Sequence, residues 1–367
     1  MSNLSIVSPT LRNPSFITDY AQNAISEGFN LAKVFWIVLT EDSATKSDYV
    51  DALKTHSIDG VVLNESDRVK YLADRGMEGY SWIFPKRSHA ETSFGLLYSQ
   101  AETRDEAVVL LDDDTQPLPG TNFFQGHLDN LKFEGETLEL SSKSRWVNVL
   151  HESFRKYSLY PRGFPYSAMG SHEDSTRTRV SQVYLSQGLW TNVPDLDAVR
   201  ILWDGDLKGQ SRTRFDASDY GENFTVALGD YTTVCSMNLG VRRELIPGFY
   251  QFKMDDNDWG IGRFDDIWSG VVAKKILDSM NKSIINGKPL CIHNKAPRST
   301  FKDLRSEVAG LEKNETFYCA FDGLSLEGDM YQRAESMARK LTQQHDDFLA
   351  FSGKCFLDWV ELIRHVS

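Results

Sequence analysis

The chain has 367 residues, 41% of them hydrophobic and 25% charged, and carries a formal net charge of -12. That length suits one large domain with an appendage, or two ordinary domains, around a substantial core. The acidic balance argues against a nucleic-acid backbone or an anionic membrane surface as a partner, so a polyanionic ligand here needs a metal ion or a few placed cations. Cys235, Cys291, Cys319 and Cys355 are widely spaced with no CxxC pair, which suggests neither a zinc site nor a disulfide framework but reduced thiols. The first residues lack a basic segment followed by a long apolar one, and no stretch reaches membrane-spanning length, so the expectation is a soluble, cytoplasmic protein.

In chain order, the apolar run "LSIV" (4–7) breaks at Ser8 and Pro9, and a helix is predicted from near Pro14 through "SFITDYAQNAISEG" to a glycine stop. "KVFWIVLTED" (33–42) is a β-branched and aromatic strand ending on acids. Strand, helix and strand at this spacing predict an α/β fold with a parallel sheet. "AVVLL" (107–111) is apolar on both alternating faces, as a strand covered on both sides must be. Ligands of open parallel sheets bind outside the carboxyl ends of the strands, so "SPTLRN", "TEDS" and "DDDT" are expected to converge on one cleft.

The triplet Asp112, Asp113 and Asp114 follows "AVVLL" directly. Three adjacent carboxylates repel one another and need open water or a counter-charge. A solvated acidic loop is one reading. The buried strand before them favours another, a hard divalent cation that takes the rest of its shell from phosphates and water. A phosphatase-type D-x-D-x-T nucleophile fits poorly, because Thr115 is one residue out of place.

Further on, "YPRGFPYSAMG" (160–170) holds Arg162 in a turn suited to a diphosphate or carboxylate partner, the plain alternative being a rigid surface turn. "YLSQGLWTNVPDLDA" (184–198) offers Trp190 with Asp195 or Asp197 as a carbohydrate platform, against the commoner role of a core tryptophan. In "GRFDDIWSGVVAKKILDSM" (262–280), helix capping accounts for one of Asp265 and Asp266 but not both, which leaves a catalytic or sugar-binding role. "GKPLCIHNKAP" (287–297) ends in His293 and Lys295; a lone histidine is commonly structural, but at a strand end opposite an aspartate cluster it completes a metal shell, with Lys295 facing phosphate. The stretch from Gly328 to Ser367 has helical spacing without strand signals, which sets residues 311–367 apart from a catalytic domain over 1–310.

Taken in order, "IVSPTLRN", "SFGLLYS", "LLDDDTQP", "RGFPYS", "SQGLWTNVPDLDA", "CSMNLGVRRELI", "IGRFDDIWSG" and "IHNKAP" resemble the reversibly glycosylated polypeptide family, whose plant members are UDP-arabinopyranose mutases. The resemblance implies a GT-A type glycosyltransferase fold, a UDP-sugar substrate, and Mn²⁺ or Mg²⁺ held by Asp112, Asp114 and His293. It implies that Pro9, Thr10, Arg12, Asp42, Asp113 and Lys295 line the nucleotide pocket. Arg162 falls on the arginine the family glycosylates reversibly, and Asp265 and Asp266 on the acids near the sugar. One departure stands out: the plant pattern has a second arginine seven residues after the first, and this chain has Met169. Arg177 or Arg179, in the longer segment "GSHEDSTRTRVSQ", is a candidate substitute. The implied activity is pyranose–furanose interconversion of a UDP-sugar. A UDP-sugar-dependent transferase and a silent nucleotide-sugar-binding partner stand as alternatives. The tail is expected to pack on its own domain or to form a homo-oligomer.

Overall fold

In the computed structural model, residues 4–41, 45–154, 159–170 and 173–367 are described, except for the side chains of 152 and 173–177. Strands β1 (Leu4–Thr10), β2 (Val34–Thr40), β3 (Asp59–Leu63) and β4 (Ala107–Leu111) lie in the order β3-β2-β1-β4, all parallel. Parallel neighbours need crossovers, here α1 (Ser15–Ser26), α2 (Lys46–Thr55), α3 (Glu65–Ala73) and α4 (Thr92–Glu102). The strand alternation feeds two core layers: Ile37 and Leu39 enter one, Trp36 and Val38 the other. All five residues of β4 are buried, as its two apolar faces required.

The sheet continues through β5 (Thr115–Pro117), β6 (Glu134–Ser142), β8 (Glu173–Asn192), β9 (Phe224–Val226), β11 (Asn238–Arg242) and β12 (Ser283–His293), with β7 (Trp146–Val147) and β10 (Tyr231–Thr232) forming a separate small pair. Antiparallel pairing enters in this half. β11 runs antiparallel to β4 and β8, while β12 is parallel to β8 and antiparallel to β5. The last pairing sets His293 opposite Thr115, which delivers the histidine to the acidic turn. Helices α5 (Phe123–Lys132), α6 (Val149–Phe154), α7 (Ala198–Trp203) and α8 (Asp265–Ser279) complete the layers.

The C-terminal helices are α9 (Thr300–Cys319), α10 (Met330–Thr342) and α11 (Asp347–Val366). A boundary at residue 310 cuts through α9, and the tail is not a separate appendage. Phe356 and Trp359 of α11 pack on Tyr250, and Trp359 Nε1 donates to the Ile246 carbonyl at 3.2 Å. The apolar face of the tail is thus spent on its own core. Among the described residues no helix is long and apolar enough to cross a membrane.

Candidate active site

Because β1 lies between β2 and β4, the turns after the three strands meet. They line a chamber of about 300 Å³ with Pro9, Thr10, Leu39, Glu41, Glu91 and Asp113 in its walls. Asp113 is turned back toward β1: it accepts from Thr10 Oγ1 at 2.8 Å and Leu11 N at 3.3 Å. Arg12 spreads its charge over Asp113 (3.3 Å) and Asp114 (3.2 Å). Burial pushes Asp113 upward against the lowering by Thr10 and Arg12. Asp114 goes the other way: burial opposes ionisation, but His293 and then Arg12 outweigh it and hold the carboxyl down at about 2. The repulsion within the triplet is therefore met in part by Arg12 and two histidines.

His293 Nδ1 lies 2.7 Å from the Val193 carbonyl and donates to it, which turns Nε2 toward Asp114 Oδ2 at 3.7 Å. A ring held at Nδ1 by a carbonyl presents Nε2 as the nitrogen that a cation would take in place of a proton. Asp112 Oδ1 is taken by His89 Nε2 at 2.8 Å. Among the described residues no three histidine, cysteine or carboxylate side chains close on one point to cage an ion alone. The donor set therefore fits a hard cation as a partial shell, Asp114 and His293 with Asp112 to one side, completed by phosphate oxygens and water.

Beyond the triplet opens a second chamber of about 650 Å³, which shares Arg12, Arg87, Ser88, His89, Asp112 and Asp114 with the first. Arg162, Asp195, Asp265 and Asp266 line it, and all are buried. Arg162 Nε donates to Asp195 Oδ2 at 3.0 Å, and Nη1 and Nη2 reach the two Asp266 oxygens at 3.2 and 3.1 Å. Nη1 also bonds the Arg263 carbonyl. Burial disfavours the charge, but Asp195 and then Asp266 more than restore it and raise Arg162 well above the ordinary guanidinium range. Reciprocally, Asp195 stays far below the usual carboxylate range despite its burial, chiefly through Arg162. Gly163, at φ +85°, lets this loop lie flat on α8, since a Cβ there would come within 2.2 Å of Ile267 Cγ2.

Asp265 and Asp266 open α8, yet only one is held by arginine. Burial raises both. In Asp265 the hydrogen bond and charge of His89 prevail and lower it; in Asp266 burial and its neighbour Asp265 prevail over Arg162 and it goes up. Three non-glycine residues in the wall, Arg87 (φ 52°), Asp255 (φ 64°) and Arg263 (φ 61°), adopt the left-handed backbone, a cost characteristic of functional sites.

Lys295 is buried and lines the same chamber, with no hydrogen-bond partner for its Nζ among the described residues. Burial, then the charge of Arg263, push its ammonium down to about 8. By contrast, Arg263 pairs with Glu307, and Arg298 with Asp303 at 2.9 Å.

The structure also corrects some expectations. Trp190 is 1% exposed on β8 and does not line either chamber, because it belongs to the buried apolar cluster that includes Leu189, Leu196 and Phe215. Asp195, not Asp197, faces the cavity; Asp197 caps α7 instead. Arg179 does not replace the missing arginine, since it pairs with Glu139 at 2.9 Å and bonds Asn281. The Arg177 side chain and Asp42 lie outside the described residues. Met169 lies off the chambers, its sulfur 3.7 Å from Arg200 Nη2, and Arg200 is committed to the carbonyls of Pro161 (2.6 Å) and Phe164 (2.8 Å). Glu41 lies in the turn "TEDS" that was expected at the cleft, whereas His89, Glu91, Arg87 and Asp255 escaped the sequence reading. The signal for His89 is the Ser-x-x-Glu capping box Ser88–Glu91, which nails its turn in place.

The family model for reversibly glycosylated polypeptide matches residues 36–367. A probable UDP-arabinopyranose mutase 1 of Zea mays is 26% identical over 98% of this chain and 89% of its own length, and UDP-arabinopyranose mutase 2 of Arabidopsis thaliana is 26% identical over 98% and 90%. A probable UDP-arabinopyranose mutase 1 of Pisum sativum is 34% identical, over 59% of this chain and 56% of that protein. Among solved structures, glucosyl-3-phosphoglycerate synthase from Mycobacterium tuberculosis is similar at 14% identity, covering 87% of this chain and 80% of that one, with a TM-score of 0.40. A Pyrobaculum calidifontis mannosyltransferase, solved with GDP-Man and Mn²⁺, aligns at 10% identity over 99% and 85%, with a TM-score of 0.38. The ordered motifs, the α/β sheet that gathers them at one cleft and the match over most of the chain agree: the protein belongs to the reversibly glycosylated polypeptide family.

Proposed function

We propose that the protein is a metal-assisted UDP-sugar mutase that interconverts pyranose and furanose forms. The observation that carries the proposal is Lys295: a buried ammonium without a hydrogen-bond partner among the described residues, in a chamber whose other buried cations are matched by carboxylates, calls for an anion brought by the ligand. A diphosphate at the junction of the two chambers supplies it. The nucleoside then occupies the 300 Å³ chamber, against Pro9, Thr10 and Glu41, and the sugar the 650 Å³ one. The relatives' names, UDP-arabinopyranose mutase, support the choice of UDP and of ring isomerisation.

Asp114 and His293 would hold Mn²⁺ or Mg²⁺, with Asp112 beside them; when bound, the ion neutralises charge that develops on the departing diphosphate. In the reaction the C1–O bond to the β-phosphate breaks and its electron pair leaves with UDP. Lys295 and Arg12 keep UDP in place, and Asp195 and Asp266 face the electron-poor C1. A different hydroxyl of the sugar bonds to C1 and passes its proton to Asp265, the acid that His89 keeps ionised; the bond from C1 to the former ring oxygen then breaks as that oxygen takes the proton back from Asp265, which leaves C1 electron-poor in the other ring form. UDP oxygen then returns to C1. For Arg162 to carry the sugar in between, an N–H must first be released from Asp195 or Asp266, because its donors are engaged.

A second reading, transfer of the sugar to an acceptor, is favoured by one feature: Met169 stands where the plant pattern has its second arginine. Incubation with Mn²⁺ and UDP-pentoses or UDP-hexoses of either ring form, with no acceptor, separates the two. The mutase produces the other ring form without net release of UDP. A protein that binds UDP-sugar and turns over only when an acceptor alcohol is added is a transferase.

A further inference from the structure

His89 joins the two halves of this site. Its Nε2 lies 2.8 Å from Asp112 Oδ1 and its Nδ1 2.9 Å from Asp265 Oδ2, residues 23 and 176 positions away in sequence. Among the described residues it is the side chain that bonds either carboxylate. Arg162 goes to Asp195 and Asp266, and Arg12 to Asp113 and Asp114. The imidazole lies in the wall common to both chambers, about one third open to solvent, while the Asp265 side chain is 5% exposed. Its own backbone is fixed by the capping box, with Ser88 N donating to Glu91 Oε1 at 3.3 Å and the Ser88 hydroxyl accepting from Ala90 N. A rigid two-pronged donor on a stapled turn has the form of a second-layer orienting group for a metal-binding carboxylate. Here its other prong holds the acid assigned to the sugar.

We propose that His89 is a positioning residue that sets both Asp112 and Asp265, so that seating the diphosphate and its cation is linked to the aim of the base. The inference rests on the proposed UDP-sugar site. One prong directs Asp112 so that a single oxygen stays free for cation or nucleotide; the other keeps Asp265 turned into the sugar chamber instead of relaxing against α8.

Two amides divide the functions. In His89→Asn the side-chain N–H stands at about the reach of Nδ1 and preserves the bond to Asp265 alone. In His89→Gln it reaches as far as Nε2 and preserves the bond to Asp112 alone. Calorimetry of UDP binding with and without Mn²⁺, paired with steady-state turnover of the UDP-sugar, reads the two arms. His89→Gln is expected to keep Mn²⁺-dependent UDP affinity within about twofold while kcat falls about 10- to 100-fold. His89→Asn is expected to lose about tenfold in that affinity with kcat at saturation reduced by no more than about threefold. His89→Ala loses both, and affinity measured without metal stays that of the parent in every variant. If the three variants lose affinity and kcat in parallel, in proportion to a fall in Tm, or if none of them changes either quantity, the inference is overturned while the UDP-sugar site stands. If the parent itself shows no Mn²⁺-dependent UDP binding, the site assignment fails and this inference with it.

Discussion

The acids of this protein fall into two clusters that solve the same electrostatic problem in opposite ways. In the cluster of Arg162, Asp195 and Asp266, side chains between 4% and 9% exposed neutralise one another through a saturated guanidinium. The triplet at Asp112 to Asp114 is more open, 14% to 26% exposed, and is served by a half-exposed Arg12 and by histidines. Two carboxylates and one arginine, plus peptide donors, make the first a closed scaffold that holds geometry. The second is left with acceptor capacity, and Lys295 stands across from it with donor capacity. Closed networks fix shape, and open ones mark where a ligand's charge belongs.

The comparison breaks most visibly at Arg162. Replacing it with alanine strands two buried carboxylates, and the expected loss of stability is about 3–5 kcal/mol by urea denaturation. Asp114→Asn should by contrast cost no more than about 2 kcal/mol, the stabilisation that its lowered carboxyl draws from His293 and Arg12, and weaken UDP binding in Mn²⁺ by about 10- to 100-fold, with no effect on binding when the metal is chelated. Equal stability losses at the two positions would erase the distinction between the clusters.

Lys295→Met sharpens it further. Removing a buried, unpartnered ammonium is expected to stabilise the free protein by about 1 kcal/mol and to weaken UDP binding by about tenfold, a trade seen when a charge is retained for a ligand. A lysine that contributed only to the fold would lose stability on substitution.

The smallest effect concerns Glu91, which lies with Glu41 in the 300 Å³ chamber around Arg68 (3.2 Å from Glu91). Burial, then its hydrogen bond to Glu41, push Glu91 up from 4.5 to about 8 against the lowering by Arg68. The folded state therefore holds a proton that the unfolded chain has lost, so stability falls as pH rises from about 4.5 to about 8. Glu91→Gln keeps its N–H throughout, and its Tm should vary less than the parent's between about pH 5 and 8, by a few degrees. Parallel Tm profiles would contradict the shared proton.

What could be read in advance was what is local or repetitive. The run "AVVLL" had to be covered on both faces, and a parallel sheet had to gather its strand ends, so the triplet, Pro9 and Thr10 were found by pattern. For His293 the strand end alone left a structural role standing, and the metal role came from the family resemblance. His89 and Glu91 were not legible as site residues because their partners are remote in sequence, Asp265 being 176 residues away, and nothing in "RSHAE" announces an acid across the cleft. Trp190 misled for the opposite reason: the carboxylates that follow it in sequence suggested a sugar platform, but the side chain is closed into a buried apolar cluster. The helical tail was legible as helix. That its aromatic face stacks on Tyr250 and Phe252 was not, since amphipathic spacing gives the face and not the partner.

The central claim is that the bond between sugar and diphosphate breaks and re-forms within one site. A UDP-sugar carrying an oxygen-18 label in the bridge between C1 and the β-phosphorus tests it most directly, followed by phosphorus NMR with Mn²⁺ present and no acceptor. Label is expected to move into the non-bridging β-phosphate positions at least as fast as the other ring form appears, and Asp114→Asn to abolish both. Bound UDP-sugar whose label stays in the bridge over many turnover times, with the ring form unchanged, would contradict it.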